Sequence, residues 1–542
     1  MQNLGVYLRS KIPIISFKNS SKNEETYLLN NRKFPDTNLD SIYDFNEYSV
    51  ENTSSYQMTQ PKPFDSIESN IISNDLHLYS EKTKANRINE YQAAWNVTNA
   101  IQGMFVVSLP FAVKSGGYWA LIAMVLVAYI CSYTGKILID CLYDEDDDQI
   151  TNLYPNLLNI KVSSSRRRIR MRNSYVDIAT DVWGSAIGAR LVNIAQNIEL
   201  LMTCILYLVL CGDLFVGSFP DLGLDHSSWT IISCMILIPC AFIRSLKFVS
   251  NLSFCNAVVH LIINLIIIIY CMTRIAEWDF SKIETKLNIC SYPISLGIIV
   301  FGYTSQIFLP TMEGNMVDRT KFDPMLYITH LVAAIFKALF GLVAFLTWQE
   351  GTKEVITNNL PTKELKIIVN VILIIKALLS YPLPYFASVE LLEASFFLTE
   401  DEIQTKRKSF TVTQRPTFSY SCYLPDGDLK LWAVLLRISL ILFTLFLAIF
   451  IPHFAYLMAL IGSITGTMLS LIWPCYFHLH LKRKTLRWYQ KLVDVLIILF
   501  GLLISVTGVY NSSVELIKAL GQDLTGFLND GLDNLKNQTS FC

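Results

Sequence analysis

Two apolar segments of this chain, separated by about 200 residues, are each interrupted near the middle by glycine and polar residues and closed by a Leu-Pro pair. The first covers 95–112 (WNVTNAIQGMFVVSLPFA) and the second 295–315 (SLGIIVFGYTSQIFLPTMEGN), with Gly103 and Gly302 inside and Pro110 and Pro310 near the ends. Gly and Pro weaken a helix interior. Irregular backbone at bilayer depth is tolerated only where it is buried in protein or lines a cavity, because lipid offers no hydrogen bonds. Matched interruptions in two halves of a chain point to a substrate site between them.

Composition agrees with a bilayer setting: 52% hydrophobic, 12% aromatic and 16% charged over 542 residues, with a mean hydropathy of +0.38, is greasier than an ordinary soluble domain. The formal net charge of -1 conceals segregation. Residues 1–90 are polar and rich in Asn, Ser, Asp and Glu, without a basic stretch followed by an apolar core, so they read as a disordered tail and not a signal peptide. Apolar runs long enough to cross a bilayer fall at 93–113, 117–141, 190–215, 229–246, 251–273, 293–315, 325–348, 365–392, 430–451, 453–479 and 488–510. The expectation is therefore an all-α membrane protein of eleven transmembrane helices over 91–510, followed by a tail over 511–542. In that tail Leu516, Leu520, Leu524, Phe527, Leu528, Leu532 and Leu535 recur at near-helical spacing, which suggests an amphipathic helix lying on the membrane.

Lys and Arg set the orientation. The loops after the even-numbered spans hold Arg166, Arg167, Arg168, Arg170 and Arg172, then Arg244 and Lys247, Arg319 and Lys321, Lys406, Arg407 and Lys408, and Lys482, Arg483 and Lys484. These belong in the cytosol, which puts the amino terminus in the cytosol and the carboxyl terminus across the membrane. Ten spans plus one suit a LeuT-like 5+5 inverted repeat with an extra helix, since an odd number of helices per repeat turns the second upside down. The broken segments then become helices one and six.

The break in helix one places Asn99, Gln102, Gly103 and Met104 near the midplane, where freed amides and a helix amino-terminal dipole suit a carboxylate. Helix six offers Phe301, Gly302, Tyr303, Thr304 and Ser305, whose carbonyls suit an ammonium and whose rings form a wall. On the third span Gln196, Glu199, Thr203 and Tyr207 make one polar stripe, and a carboxylate at the bilayer centre costs roughly 2.5–3.5 kcal/mol on insertion scales. Glu199 is the candidate proton-coupling group. Lys337 and Lys376, each in the middle of its span, are the candidate ion or charge partners. Arg437 is expected to extend to the cytosolic interface, and His453, at the corner before the tenth span, is a gate or pH-sensing candidate. The twelve Cys lie mostly inside spans with no CxxC pair, so no metal site or disulfide framework is indicated. Asn511 and Asn537 fit the glycosylation pattern on the side away from the cytosol. No Walker loop, catalytic triad or nucleic-acid motif is present, which argues against an ATP-driven pump or an enzyme.

Several stretches carry a family resemblance: AWNVTNAIQGMFVVSLPFAVKSGGY from Ala94, GKILIDCLY from Gly135, NIELLMTCILY from Asn197, SLGIIVFGYTSQIFLPTMEGNM from Ser295, TKEVITNNLP from Thr352, KALLSYPLPYFASVELLE from Lys376 and IPHFAYLMALIGSITGT from Ile451. These resemble the vesicular inhibitory amino acid transporters of the amino acid/auxin permease superfamily, over about 90–510. The first 90 residues, the Ser- and Arg-rich stretch at 163–172 and the loop near 400–420 do not share in it. The resemblance implies a multi-pass protein of synaptic vesicles that loads GABA and glycine in exchange for lumenal protons, with no bound cofactor and with chloride as a candidate further ion; it names no sorting partner for the amino-terminal tail. It implies that helices one, three, six and eight line the site. Two other readings remain open, a lysosomal or plasma-membrane amino acid carrier of the same superfamily and an amino-acid sensor built on the same fold.

Overall fold

The computed structural model describes residues 88–145, 168–184, 187–239, 247–396 and 431–539, all of which fall in a unit spanning Asp75–Cys542. The expected tail over residues 1–87, the stretch 163–167 and the loop 397–430 lie outside the described residues. Helix α1 (Glu90–Ile101) opens the unit, with Asn89 and Gln92 forming a capping box. It stops at Gln102 and Gly103, a single tight turn follows over Met104–Ser108, and α2 (Leu109–Asp140) begins with Pro110 in its first turn, where a missing N–H costs nothing. A short antiparallel pair, β1 (Tyr143–Glu145) and β2 (Arg168–Arg170), leads to α3 (Tyr175–Trp183) and α4 (Gly188–Ser218).

Next come α5 (His226–Leu237), α6 (Lys247–Thr273), and the second broken pair, α7 (Tyr292–Tyr303) and α8 (Leu309–Asn315). The remainder is α9 (Phe322–Trp348), α10 (Lys363–Ser380), α11 (Pro382–Phe396), α12 (Leu431–Phe450), α13 (Phe454–Ile461), two wide turns of π-helix over Gly462–Gly466 and Met468–Ile472, α14 (Trp473–Leu481) and α15 (Trp488–Thr539). Both interrupted segments are therefore interrupted where the glycines and prolines stand.

Among the described residues seven helical segments are long and apolar enough to cross a membrane by length and composition, and α5, part of α6 and α7 are shorter apolar helices. The figure is below the expected eleven in part because residues 240–246 lie outside the described residues, which shortens the candidates on either side of them. The breaks at Gly103 and between α7 and α8 shorten two candidates, and Met104–Asp140 counts as one although Gly117 divides it. Large side chains such as Ile122, Tyr129, Met235, Ile335, Leu499 and Val506 point outward, an apolar exterior that a soluble monomer would not tolerate. Residues 511–539 are helical, but as a direct continuation of α15 and not as a separate element.

Gly117 is the one position in α2 with positive φ (56°). A Cβ there would stand 2.2 Å from the Glu284 carbonyl oxygen, which accepts the Tyr118 N–H at 3.1 Å. Gly117→Ala is expected to destabilise the protein, since strained backbone alone costs on the order of 1–3 kcal/mol and the clash adds to it. Thermal melting in detergent checks this, and an unchanged midpoint would show that the turn at 117 relaxes freely. A second close approach joins α7 to the π-helical stretch, where a Cβ on Gly462 would lie 2.0 Å from the Gly297 carbonyl oxygen. The two backbones touch beside the break in α7.

Candidate functional site: a cavity between two broken helices

A cavity of about 360 Å³ lies between the breaks. Of the residues expected to form a site, Asn99, Gly103, Met104, Phe301, Gly302, Thr304, Glu199, Lys337 and Lys376 line it. Gln102, Tyr303 and Ser305 do not. Gln102 caps the end of α1, its N–H donating to the Thr98 carbonyl at 2.7 Å. Tyr303 is fully buried behind the wall, and Ser305 is turned into the protein with its N–H donating to Gln306 Oε1 at 3.0 Å.

After α1 the turn starting at Met104 opens a new helical register, whose first N–H groups precede any helical carbonyl, while the Val106 N–H donates to the Gly103 carbonyl at 3.3 Å. The break after α7 behaves differently. Its Gly302 carbonyl already accepts a hydrogen bond from Lys337 Nζ at 2.6 Å, and the same ammonium sits 3.7 Å from the centre of the Tyr303 ring. The expected ammonium at helix six is thus supplied by the chain itself, from α9, and satisfies a carbonyl that the unwinding sets free.

Glu199 is 4% exposed and faces the cavity from α4. Its Oε2 accepts a hydrogen bond from the Thr465 hydroxyl. Thr465 stands in the π-helical stretch, whose extra residue per turn rotates the side chain off the ordinary helical phase, a device frequent at functional sites. Among the described residues Glu199 forms no ion pair with Lys337 or Lys376, so it is not a structural counter-ion to either. Thr203 and Tyr207 follow it along the cavity wall, whereas Gln196, the first member of the stripe, is buried away from it.

At one end of the cavity aromatic rings cluster. Phe105 packs against Tyr207, Phe301 and Phe454 with centroids 5.4, 4.9 and 6.1 Å apart. Behind Phe454, His453 caps α13 outside the cavity, its Nδ1 3.6 Å from Glu354 Oε1. Glu354 ties this end together, because its Oε2 accepts the Ala455 N–H at 2.7 Å and its carbonyl accepts the Ser108 hydroxyl at 2.7 Å.

Towards the other end the lining runs through Asn96, Phe308, Met312, Leu383 and Pro384. Next to Met312, Glu313 is 1% exposed and held by the Tyr143 hydroxyl, by Arg170 at 3.1 Å and by Arg319 at 3.7 Å. Arg172 pairs with Asp144 at 3.1 Å and with Asp181 at 2.5 Å, and Lys482 lies 3.6 Å from Asp144. Burial raises the Asp144 carboxyl, but the hydrogen bonds and charges of Arg172 and Lys482 outweigh it and hold the group below the usual carboxylate range.

The fold also places Arg437, Asn511 and Asn537. Arg437 does not reach an interface; it is 4% exposed, inside the protein. Asn511 lies within α15, half-buried, with Nδ2 donating to the Thr507 carbonyl at 2.9 Å, which is not the surface loop that glycosylation favours, and Asn537 falls in the last turns of the same helix. Among the described residues no cluster of His, Cys, Asp and Glu could hold a metal ion.

A bundle of apolar helices whose broken centre holds a largely apolar cavity, with one acid and two lysines facing it, is the arrangement of a membrane carrier for small solutes. The chain belongs to the family described as transmembrane amino acid transporter proteins, which it matches over residues 86–514. It is similar to the vesicular inhibitory amino acid transporter of Xenopus laevis, 45% identical over 83% of this chain and 82% of the relative. It is also similar to the vesicular GABA transporter of Caenorhabditis elegans, 47% identical over 80% and 81%, and to the human vesicular inhibitory amino acid transporter, 45% identical over 80% and 77%. Among solved structures, the inward-facing conformation of Mhp1 aligns with a TM-score of 0.43 and 12% identity over 82% of this chain and 92% of that chain, a likeness too loose to bear on the architecture.

Proposed function

We propose that the protein is a proton-coupled antiporter that loads inhibitory amino acids, GABA and glycine, from the cytosol into acidic vesicles by alternating access. The observation that carries this reading is Glu199, a buried carboxylate facing the cavity with a neutral hydroxyl as its partner. Such a group is costly unless it exchanges a proton. The names of the relatives support the cargo and the compartment. In this reading all eleven apolar intervals cross the membrane as two inverted five-helix repeats plus one helix.

The end that holds Arg170, Arg172, Arg319, Lys321 and Lys482 is cytosolic by the charge rule, with the amino terminus, and the end that holds Glu354 and His453 is lumenal. The cavity then extends to the cytosolic side while the Phe105 cluster shuts the lumenal side. The amino acid enters with its ammonium toward Glu199 and the Phe301 face. A lumenal proton on Glu199 weakens the hold on the ammonium after the site turns to the lumen, and the return journey carries that proton to the cytosol. One pH unit supplies ~1.4 kcal/mol and ~100 mV of inside-positive potential ~2.3 kcal/mol, together enough for a several-hundred-fold concentration step.

The experiment is uptake of radiolabelled GABA and glycine into proteoliposomes with an acid interior. Concentrative uptake that collapses with a protonophore is expected. Saturable binding without flux would replace the carrier by an amino-acid sensor, and uptake of other amino acids alone would move the assignment to a different carrier of the family.

A further inference from the structure

We propose that Lys376 is the group that receives the carboxylate of the cargo and that its flexible stem is what lets one site take amino acids of different length; this rests on the amino-acid reading above. Lys376 sits in the middle of α10, is 4% exposed, and lines the cavity together with Ser380, four residues on and so on the same helical face. The acid and the two lysines of the cavity are not equivalent. Lys337 has the Gly302 carbonyl and the Tyr303 ring, and Glu199 has Thr465. Among the described residues no acid pairs with Lys376 and no acceptor takes a hydrogen bond from its ammonium. The buried imidazole of His260 on α6 lies within electrostatic reach of it and brings no negative charge.

An arriving anion offsets the desolvation of a buried ammonium, so a buried lysine with no counter-ion is a place where an anion can bind. The amides at the α1 break present a fraction of a unit charge at a fixed position, whereas Lys376 brings a whole charge on a four-carbon stem with three rotatable donors. With the ammonium end of the cargo anchored at Glu199, a movable partner on α10 can meet a carboxylate one carbon away or three carbons away. The same cavity could also seat a halide on Lys376, and the test separates the two sources of the anion.

The test measures binding of GABA, glycine and their carboxamides to the purified full-length protein in nanodiscs. The native chain is expected to prefer each acid over its amide by on the order of tenfold or more, the scale of a charge-assisted contact, with the preference unchanged when chloride is replaced by gluconate. In Lys376→Met the preference should fall to near unity. In Lys376→Arg it should persist while the ratio of GABA to glycine affinity shifts, since the planar guanidinium fixes the geometry; this variant decides the matter if the Met variant does not fold. A folded Met variant that keeps the acid preference, or an Arg variant with an unchanged ratio, overturns the proposal. Loss of chloride dependence in Lys376→Met with the acid preference intact assigns the ammonium to a halide and overturns it too. If the native chain binds none of these amino acids, the functional reading itself fails.

Discussion

Glu199→Gln is expected to lower acid-driven uptake in proteoliposomes by ~10-fold or more, which corresponds to ~1.4 kcal/mol of lost coupling, while exchange of labelled for unlabelled amino acid at equal pH continues. The amide keeps the size of the carboxyl group and can still accept from the Thr465 hydroxyl, so it imitates the protonated acid permanently. A carrier locked in that form holds the ammonium less tightly, so exchange continues with a raised half-saturation, but it cannot be reset by releasing a proton to the cytosol. Uptake that still scales with the imposed pH step in the variant would place the proton elsewhere and remove Glu199 from the coupling.

The second large effect belongs to Lys337→Met, and it is a loss of stability as well as of transport. Lys337 is 1% exposed, and its ammonium is the donor found for the Gly302 carbonyl freed by the end of α7. Removing it orphans that oxygen in a low-dielectric interior, at ~1–3 kcal/mol, and takes the cation from the Tyr303 ring. The expected results are a lower melting temperature in detergent and loss of uptake. If the variant melts like the native protein and still transports, water or a rearranged side chain serves Gly302, and the lysine does not hold the break open.

How much of this was readable in the sequence depends on how local each signal is. The two breaks were readable because Gly103, Pro110, Gly302 and Pro310 act on their own backbone, whatever surrounds them. Glu199 was readable because a carboxylate in an apolar run is costly anywhere in a bilayer. Thr465 was not, since a threonine in a helix is unremarkable until a π-turn aims it at an acid far away in sequence. Phe105 and Phe454 each read as ordinary apolar residues, and only folding makes them a plug. Gln102 and Ser305 were placed in the site by adjacency, but a change of backbone direction of one residue turns them away from it. Arg437 misled for a related reason: position along a span does not say which way a helix faces, and this one faces the protein.

Helix α15 runs for 52 residues from Trp488 to Thr539, about 78 Å at 1.5 Å per residue, against the ~30 Å that a bilayer's hydrocarbon requires. The excess makes it a lever. Any tilt of its membrane-embedded half is magnified at the far end, where an arm of roughly 40 Å turns a rotation of a few degrees into several ångströms of travel. A fluorophore or spin label near that tip would therefore register movements of the bundle too small to follow at the cavity.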